Sequence, residues 1–445
     1  MIGREDGTAM NVTASRVRGL RPAPLLAALI ALAACTAPAA TVPVVAPAGG
    51  PEAVAAGDLS RALARVWTEC TFPVVAAAPA DGAAIELAVD PSLAPEAFAV
   101  TVAPDGSRAR VTAGSPPGVS HGVHALLEKL GFGSCLTLDA VPAPRPGAPS
   151  FRDWTTADAP LAQERIVFNW HNFLSGCSSW NYDDWALWID QSRKMRFNTV
   201  MIHAYGNNPM FTFAHNGVAK PAGFLTSTVR GRDWGTEHVN DVRRLAGGSV
   251  FPGPVFGADA ALAPVERRAE ETQALMKRVI AHAGASGMHV CFALDVDTAS
   301  SNPQEVILAL PGSARFRLAD GTTWLARPDT PEGYAYYRSQ AKALFDLYPQ
   351  IDRLAIWVRT GGTTWTALKD EDLPPEWRAE LAARAKAEPA IAKLPQGPGR
   401  LGLGKVTAAF QRALKEIGRD DVRVWMGSWN FEWMSQADPW TPAGI

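Results

Sequence analysis

The sequence predicts an α/β protein in which a small N-terminal α+β, sandwich-like domain precedes a partial TIM-type (β/α) barrel of about five βα units. Three observations carry that expectation. The chain has 445 residues, 47% of them hydrophobic and 19% charged, so it holds enough apolar mass for a sizeable core. From residue 165 onward, short apolar runs alternate with stretches of helical periodicity. All of the 15 tryptophans except Trp67 and Trp154 lie at or beyond Trp170, so the two halves differ in kind.

Lys+Arg number 42 against Asp+Glu 44, and a net charge of -2 gives no electrostatic reason to expect a nucleic-acid partner. Five cysteines in a chain this long make no disulfide scaffold, and no pair has the spacing of a zinc site. Neither a cofactor nor a metal is expected.

Arg16, Arg18 and Arg21 precede an apolar run from Leu25 to Ala34 that ends at Cys35. A run of that length spans roughly 15 Å of helix, too short for a bilayer core of about 30 Å. Basic residues before a short apolar segment fit a secretory signal. Leu32-Ala33-Ala34-Cys35 also resembles a bacterial lipobox, which would make residues 1–35 a lipoprotein-type signal with Cys35 lipidated. An ordinary signal peptide cleaved near Ala39 or Ala40 is the alternative, and Met10 is a candidate true start. The expectation is an exported cell-envelope lipoprotein, held at the membrane by its lipid alone. Residues 36–57, rich in Ala, Pro, Val and Gly, read as a flexible tether. Cys70, Cys135, Cys177 and Cys291 are too scattered to pair on paper.

Residues 58–150 read as the small domain. Asp58 can cap a helix with Leu59, Leu63, Val66 and Trp67 at helical spacing. Ala84 to Val89, Ala97 to Val102 and Ala109 to Thr112 read as strands. A glycine-punctuated turn from Gly114 to Gly118 then opens a helix carrying Val123, Leu126, Leu127 and Leu130, which Gly131 can end. His121 and His124 stand three apart but have no third ligand nearby, so they read as ordinary helix histidines.

That strand, turn and helix ending Leu126-Leu127-Glu128-Lys129-Leu130-Gly131 resembles the small N-terminal domain of several exo-glycosidases. These are the β-hexosaminidases, bacterial α-glucuronidases and α-N-acetylglucosaminidases. The resemblance covers roughly 80 residues and implies a non-catalytic domain followed by a (β/α)8 glycosidase barrel.

Residues 160–445 read as that barrel, incomplete. Ile166 to Trp170 is a first short strand, and Asn181 can cap a helix bearing Trp185, Trp188, Ile189 and Met195. Thr199 to Ala204 is apolar and β-branched, as a strand buried on both faces should be. Leu275, Met276, Val279, Ile280 and Ala283 mark a helix ended by Gly287, and Val290 to Leu294 a third strand. Tyr337, Ala341, Leu344, Phe345 and Tyr348 mark a helix stopped by Pro349, and Leu354 to Val358 a fourth strand. Val406, Phe410, Ala413, Leu414 and Ile417 precede Gly418, and Val422 to Met426 makes a fifth. Strands running one way imply a parallel sheet. A barrel is favoured over a doubly wound sheet. A closed barrel needs eight strands, so the expectation is a C-terminally truncated sequence.

Barrel chemistry sits at the C-terminal ends of the strands. After strand one come Asn169, Trp170, His171 and Asn172. After strand two come His203, Tyr205, Asn207 and Asn208, then a loop of about 55 residues of the length usually reserved for function. Strand three ends in Asp295 and Asp297, strand four in Trp357, Arg359 and later Trp365, and strand five is followed by Trp429, Asn430 and Glu432. Indole faces stack on pyranose C–H faces, while Asn, His and Arg bond hydroxyls or a carboxylate. The candidate saccharide-binding residues are therefore His171, His203, Asn207, Asn208, Arg359, Trp365, Trp429 and Asn430. Trp185 and Trp188 lie on a packing face and read as structural.

Glycoside hydrolysis uses two carboxyl groups. Asp295 and Asp297, about 7 Å apart if both extend one strand, point to one side and form the candidate catalytic pair, with Glu432 as partner from another strand. Such a pair can equally cap a helix or bind Arg. The resembling families place acids at the end of strand four, where this chain has Arg359 and Thr360 and no Asp or Glu until Asp370. Gly399 to Val406 nearly matches a phosphate-binding loop but has Val406 at the hydroxyl position and no preceding strand, so it reads as a loop entering a helix. The function expected is a glycoside hydrolase-like protein cleaving O-glycosidic bonds in polysaccharide- or glycan-derived sugars, uronic acids or amino sugars among them. A non-catalytic surface glycan-binding protein is the alternative, and a lyase acting on uronates a weaker third.

Overall fold

The structure is a computed structural model and describes residues 40–169, 177–206, 208–223, 225, 259–358, 364–389, 391–428 and 442. Residues 1–39, Cys35 among them, lie outside these.

In chain order the small unit comprises β1 (Ala40–Thr41), β2 (Val44–Val45), α1 (Gly50–Val66), β3 (Cys70–Thr71), β4 (Val74–Val75), β5 (Ala84–Val89), β6 (Phe98–Val102), β7 (Arg108–Ala113), α2 (Pro116–Lys129), β8 (Gly133–Ser134), β9 (Asp139–Ala140) and β10 (Thr156–Asp158). Six strands form a mixed sheet in the order β10-β6-β7-β5-β2-β4. Period-two burial of Ala109, Val111 and Ala113 on β7 aims one face of this sheet at α1 and α2. Ser115 caps α2, its Oγ accepting from Gly118 N at 3.3 Å, with Pro116 in the first turn. Gly122 lets that helix approach the sheet, since a Cβ there would stand 2.6 Å from Val111 Cγ1. Gly131 ends it in the left-handed region at φ 97°.

Three sequence expectations change here. Residues 40–57 are not a tether: Val42, Val44 and Ala46 are buried, β2 pairs with β4 and β5, and α1 begins at Gly50 with Pro51 in its first turn. Asp58 consequently lies inside α1 rather than capping it. The unit also runs past residue 150, because β10 pairs antiparallel with β6.

The remainder comprises β11 (Ile166–Phe168), α3 (Tyr182–Lys194), β12 (Thr199–Ala204), β13 (Ala214–His215), β14 (Val218–Ala219), α4 (Asp259–Leu262), α5 (Arg268–Ala285), β15 (His289–Asp295), α6 (Gln304–Ile307), β16 (Arg315–Arg317), β17 (Trp324–Ala326), α7 (Pro331–Leu347), β18 (Arg353–Val358), α8 (Pro375–Ala387), α9 (Gly397–Glu416) and β19 (Arg423–Ser428). Five strands pair in parallel in chain order, β11-β12-β15-β18-β19. Asn181 stands at the N-cap position of α3, where its backbone N donates to Asp184 Oδ2 at 3.0 Å.

Which face the helices cover decides between a barrel and a doubly wound sheet. Val200, Ile202, Val290, Phe292, Leu294, Leu354 and Ile356 share one core with apolar residues of α3, α5, α7 and α9. The opposite face carries Met201, Cys291, Ala293, Ala355 and Trp357, a separate cluster without a helical residue. A doubly wound sheet would have helices on both faces; here one face is left inside.

The sheet is also curled. Glu164, just before β11, accepts from Arg423 Nη1 at 2.6 Å on β19 and from Arg353 Nη2 at 3.2 Å on β18. In a flat sheet, strands four places apart lie about 19 Å apart, beyond the roughly 15 Å that an extended Glu and Arg can bridge. The five strands therefore form a half-barrel whose opposite edges are braced across its interior. Glycines at the start of α9 serve packing rather than phosphate: a Cβ at Gly399 would stand 2.6 Å from Trp365 O, and one at Gly402 2.7 Å from the Trp365 ring. They lie within the helix, not in a loop entering it. No described helix is long and apolar enough to cross a membrane.

The small unit docks on the end of α3 and the turn after it. Arg193, only 3% exposed in its side chain, bonds Asp58 Oδ2, donates to Ser120 Oγ at 2.7 Å and stands 3.3 Å from His124 Nε2. Lys194 pairs with Asp139, Arg196 with Glu128, and Arg165 with Glu96. Burial pushes the Asp58 carboxyl up, but the His124 hydrogen bond and the Arg193 charge outweigh it and hold it well below the usual carboxylate range. Burial pulls His124 down and draws His121 to about 4.

Arg193→Ala leaves the buried Asp58 carboxylate with only the largely exposed Arg61, at 2.6 Å, and His124 as partners, so it should cost about 1–3 kcal/mol in chemical denaturation. All three depressed values act with one sign. The histidines stabilise the fold fully above their unfolded value of about 6.5, and Asp58 does so above about 4. Stability should therefore fall as pH drops from 7 toward 4, and fall less steeply in His124→Gln.

Candidate active site at the C-terminal ends of the half-barrel

The inner face of the half-barrel is layered by the period of the strands. Glu164, Thr199, His289, Arg353 and Arg423 lie at its N-terminal end, paired or bonded among themselves and with Asp352. Ile166, Met201, Cys291, Ala355 and Trp425 follow. Phe168, His203, Trp357 and Asp295 reach the C-terminal end, where Asp295 pairs in register with Trp357.

His203 is fully buried among aromatic rings. Its imidazole meets Tyr205 at 4.6 Å, Trp357 at 5.4 Å and Phe168 at 6.1 Å between ring centroids, each approached edge-on. Trp357 in turn lies 5.9 Å from Phe168. This cluster forms an aromatic floor with one imidazole set into it. Trp357 and Phe168 were missing from the sequence-derived site, although the period of strand four places Trp357 on the same face as Arg353 and Ala355.

Asp295 is 1% exposed, and its Oδ1 accepts from Asp297 N at 2.9 Å, Thr298 N at 3.0 Å and Ser301 Oγ at 3.2 Å. The carboxylate thus shapes the turn that leaves β15. Asp297 does something else. Its carboxylate accepts from Trp365 N at 2.7 Å and from Thr366 N and Oγ1, each at 3.1 Å, while its own carbonyl accepts from Thr364 N at 3.1 Å. The expected same-side pair is therefore corrected: Asp297 lies past the strand and ties the loop after β18 to the loop after β15. A neighbouring contact joins the loop after β12, since Gly206 lies so close to Ser301 that a Cβ would stand 2.1 Å from its backbone. Three successive loops are thereby packed into one rim.

Trp365 is a second correction. It has no accessible surface, stacks with Trp377 at 6.4 Å and packs edge-on to Phe316 at 6.3 Å, so its indole belongs to the core under the rim. Asn208 is equally buried; its Oδ1 accepts from Met210 N at 2.9 Å to form a turn, while its Nδ2 has no hydrogen-bond partner among the described residues. His171, Asn207, Arg359, Trp429, Asn430 and Glu432 lie outside the described residues.

Lys220, on the hairpin side of the loop after β12, also escaped the sequence reading. Burial draws its amine down to about 7, and Nζ donates to Phe211 O at 3.0 Å. Nothing in its local sequence marks it, because its burial comes from Phe211 and its neighbours folding over it.

A cleft of about 440 Å³ lies at the other end of the strands, lined by Glu96, Glu164, His289, Arg353 and Arg423 among others. Its charged groups are largely paired with one another, and that end of a barrel serves stability rather than chemistry. Among the described residues no group of three His, Cys, Asp or Glu is placed to hold a metal ion.

No protein-family model and no curated protein matches the chain. Among solved structures it is similar to a GH138 enzyme targeting pectin rhamnogalacturonan II, with TM-score 0.45 and 12% identity over 86% of this chain and 35% of that one. It is similar to the GH20 exo-β-N-acetylglucosaminidase from Vibrio harveyi, with TM-score 0.42 and 13% identity over 87% of this chain and 51% of that one. It is similar also to the GH20 β-N-acetylhexosaminidase from Streptomyces coelicolor A3(2), with TM-score 0.41 and 15% identity over 88% of this chain and 71% of that one. The chain thus spans about a third to a half of the first two relatives. These are likenesses alone, and the reading of the site rests on its own geometry.

Proposed function

We propose that this chain is a glycoside hydrolase-like protein acting on O-glycosidic bonds of glycan-derived sugars, with its site at the C-terminal ends of the half-barrel. One observation carries the reading: His203 and Asp295 both lie on the inner face at the C-terminal ends of their strands, beside the rings of Phe168 and Trp357. A pyranose offers an apolar C–H face to such rings and hydroxyls to an imidazole and a carboxylate. The resemblance of the small domain to those of exo-glycosidases points the same way. In this reading Asp295 is one acid and Glu432 the other, His171, Asn207, Arg359, Trp429 and Asn430 bind saccharide, and Asp297 holds the rim.

Release of nitrophenol from a panel of aryl glycosides, with uronic-acid oligosaccharides alongside, tests the proposal. Asp295→Asn and Glu432→Gln should each lower turnover by about 10²–10⁴-fold. Asp297→Asn should lower the melting temperature, since the swapped amide cannot accept from all three rim donors. A panel without turnover, with Asp295→Asn and Glu432→Gln changing no measured property, would end the hydrolase reading.

The hydrogen bonds that Asp295 and Asp297 accept from their own loops favour a second reading, a glycan-binding protein without turnover. Titration calorimetry separates the two. Saccharide binding with no product, weakened by Arg359→Ala, would establish the second.

We further propose export and lipidation at Cys35, on the strength of Leu32-Ala33-Ala34-Cys35. Cys35→Ser should shift the protein from the membrane fraction to the soluble fraction; an unchanged distribution would sink the anchor.

A further inference from the structure

Gly427 is an unusual residue for its place. It lies inside β19, paired in register with Trp357, where glycine weakens a strand and leaves a gap in packing. It is not among the glycines with positive φ, so no backbone conformation calls for it. Space does. A Cβ at Gly427 would stand 2.3 Å from Trp357 Cε3 and 2.6 Å from Cζ3. The six-membered half of the indole therefore lies against the bare backbone of the neighbouring strand. The rest of its surroundings are also small, for Trp357 packs with Ala293 and Ala355 on the same face. On its far side it meets the edge of His203 at 5.4 Å and Phe168 at 5.9 Å.

We infer that Gly427 is a positioning residue for the candidate site: its missing side chain seats Trp357 across β19 and so fixes the floor and the bearing of His203 that a sugar ring meets. The role deepens the carbohydrate reading and rests on it for its ligand. The seating itself is a property of the protein alone. A methyl at this position cannot be absorbed by a flexible neighbour, because what it meets is a rigid ring hemmed by an imidazole and a phenyl group. The indole must tilt away from β19 and press on His203.

The test is Gly427→Ala in the full chain, alone and together with Trp357→Phe, read by near-ultraviolet circular dichroism, chemical denaturation and saccharide titration. Gly427→Ala should alter the aromatic dichroism and weaken whatever saccharide the unmodified chain binds by about tenfold. In the Trp357→Phe background, with its smaller ring, the same alanine should change neither signal further. Should Gly427→Ala fail to fold, recovery of folding on adding Trp357→Phe supports the seating, and failure of both variants overturns it. Unchanged dichroism, or an equal loss in both backgrounds, likewise overturns it and leaves Gly427 as an ordinary strand residue. If the unmodified chain binds no saccharide, the carbohydrate reading falls, while dichroism and denaturation still decide the pairing of Gly427 with Trp357.

Discussion

The Glu164 carboxylate, set between Arg423 and Arg353, is the contact on which the architecture turns. It joins residues from the two edges of one sheet, which only a curled sheet allows. Curling gives the sheet an inside, and that inside carries His203, Trp357 and Asp295 toward the C-terminal ends of the strands. Of the three charges only the Arg353 guanidinium is buried, and burying it is costly unless its geometry satisfies it. Here one carboxylate oxygen serves two guanidinium groups, and Asp352 takes another face of Arg353 at 3.0 Å. The arrangement puts charge at the N-terminal end and leaves aromatic and small residues toward the C-terminal end.

The rim obeys a similar economy of parts. Asp295 turns the chain away from β15, Asp297 receives the main chain beyond β18, and Gly206 lets the loop after β12 lie on Ser301. None of these groups needs to touch a ligand to matter, since each sets where the next loop passes. Groups held this way keep their positions without help from the ligand, which is how preorganised sites are built.

Much of this architecture was legible in the sequence, because strands buried on both faces must be apolar throughout. Thr199 to Ala204 could be read as such a strand without any knowledge of its partners. Sidedness was harder. That the helices all take the face of Val200, Phe292 and Ile356 follows from curvature, and the brace producing it links residues 259 apart in sequence. The strands at Ala40–Thr41 and Val44–Val45 read as linker because two-residue strands carry no periodicity; their pairing depends on Cys70, Val74 and Ile85. Asp295 and Asp297 misled for a local reason: alternation stops where the strand stops, and Asp297 lies beyond it. Trp365 misled because sequence shows an indole near a strand end but not Gly399 and Gly402 making room for it beneath the rim.

The docking strip on α3 carries a consequence for how the molecule can be dissected. Arg193, Lys194, Arg196 and Asn198 occupy the few residues immediately before β12, and all are bonded to side chains of the small unit. Excising that unit would take Asp58, Ser120 and His124 away from Arg193, directly ahead of the second barrel strand. The N-terminal domain is thus an integral part of the first βα hairpin's foundation, so grafting or shuffling this half-barrel requires carrying its small companion along.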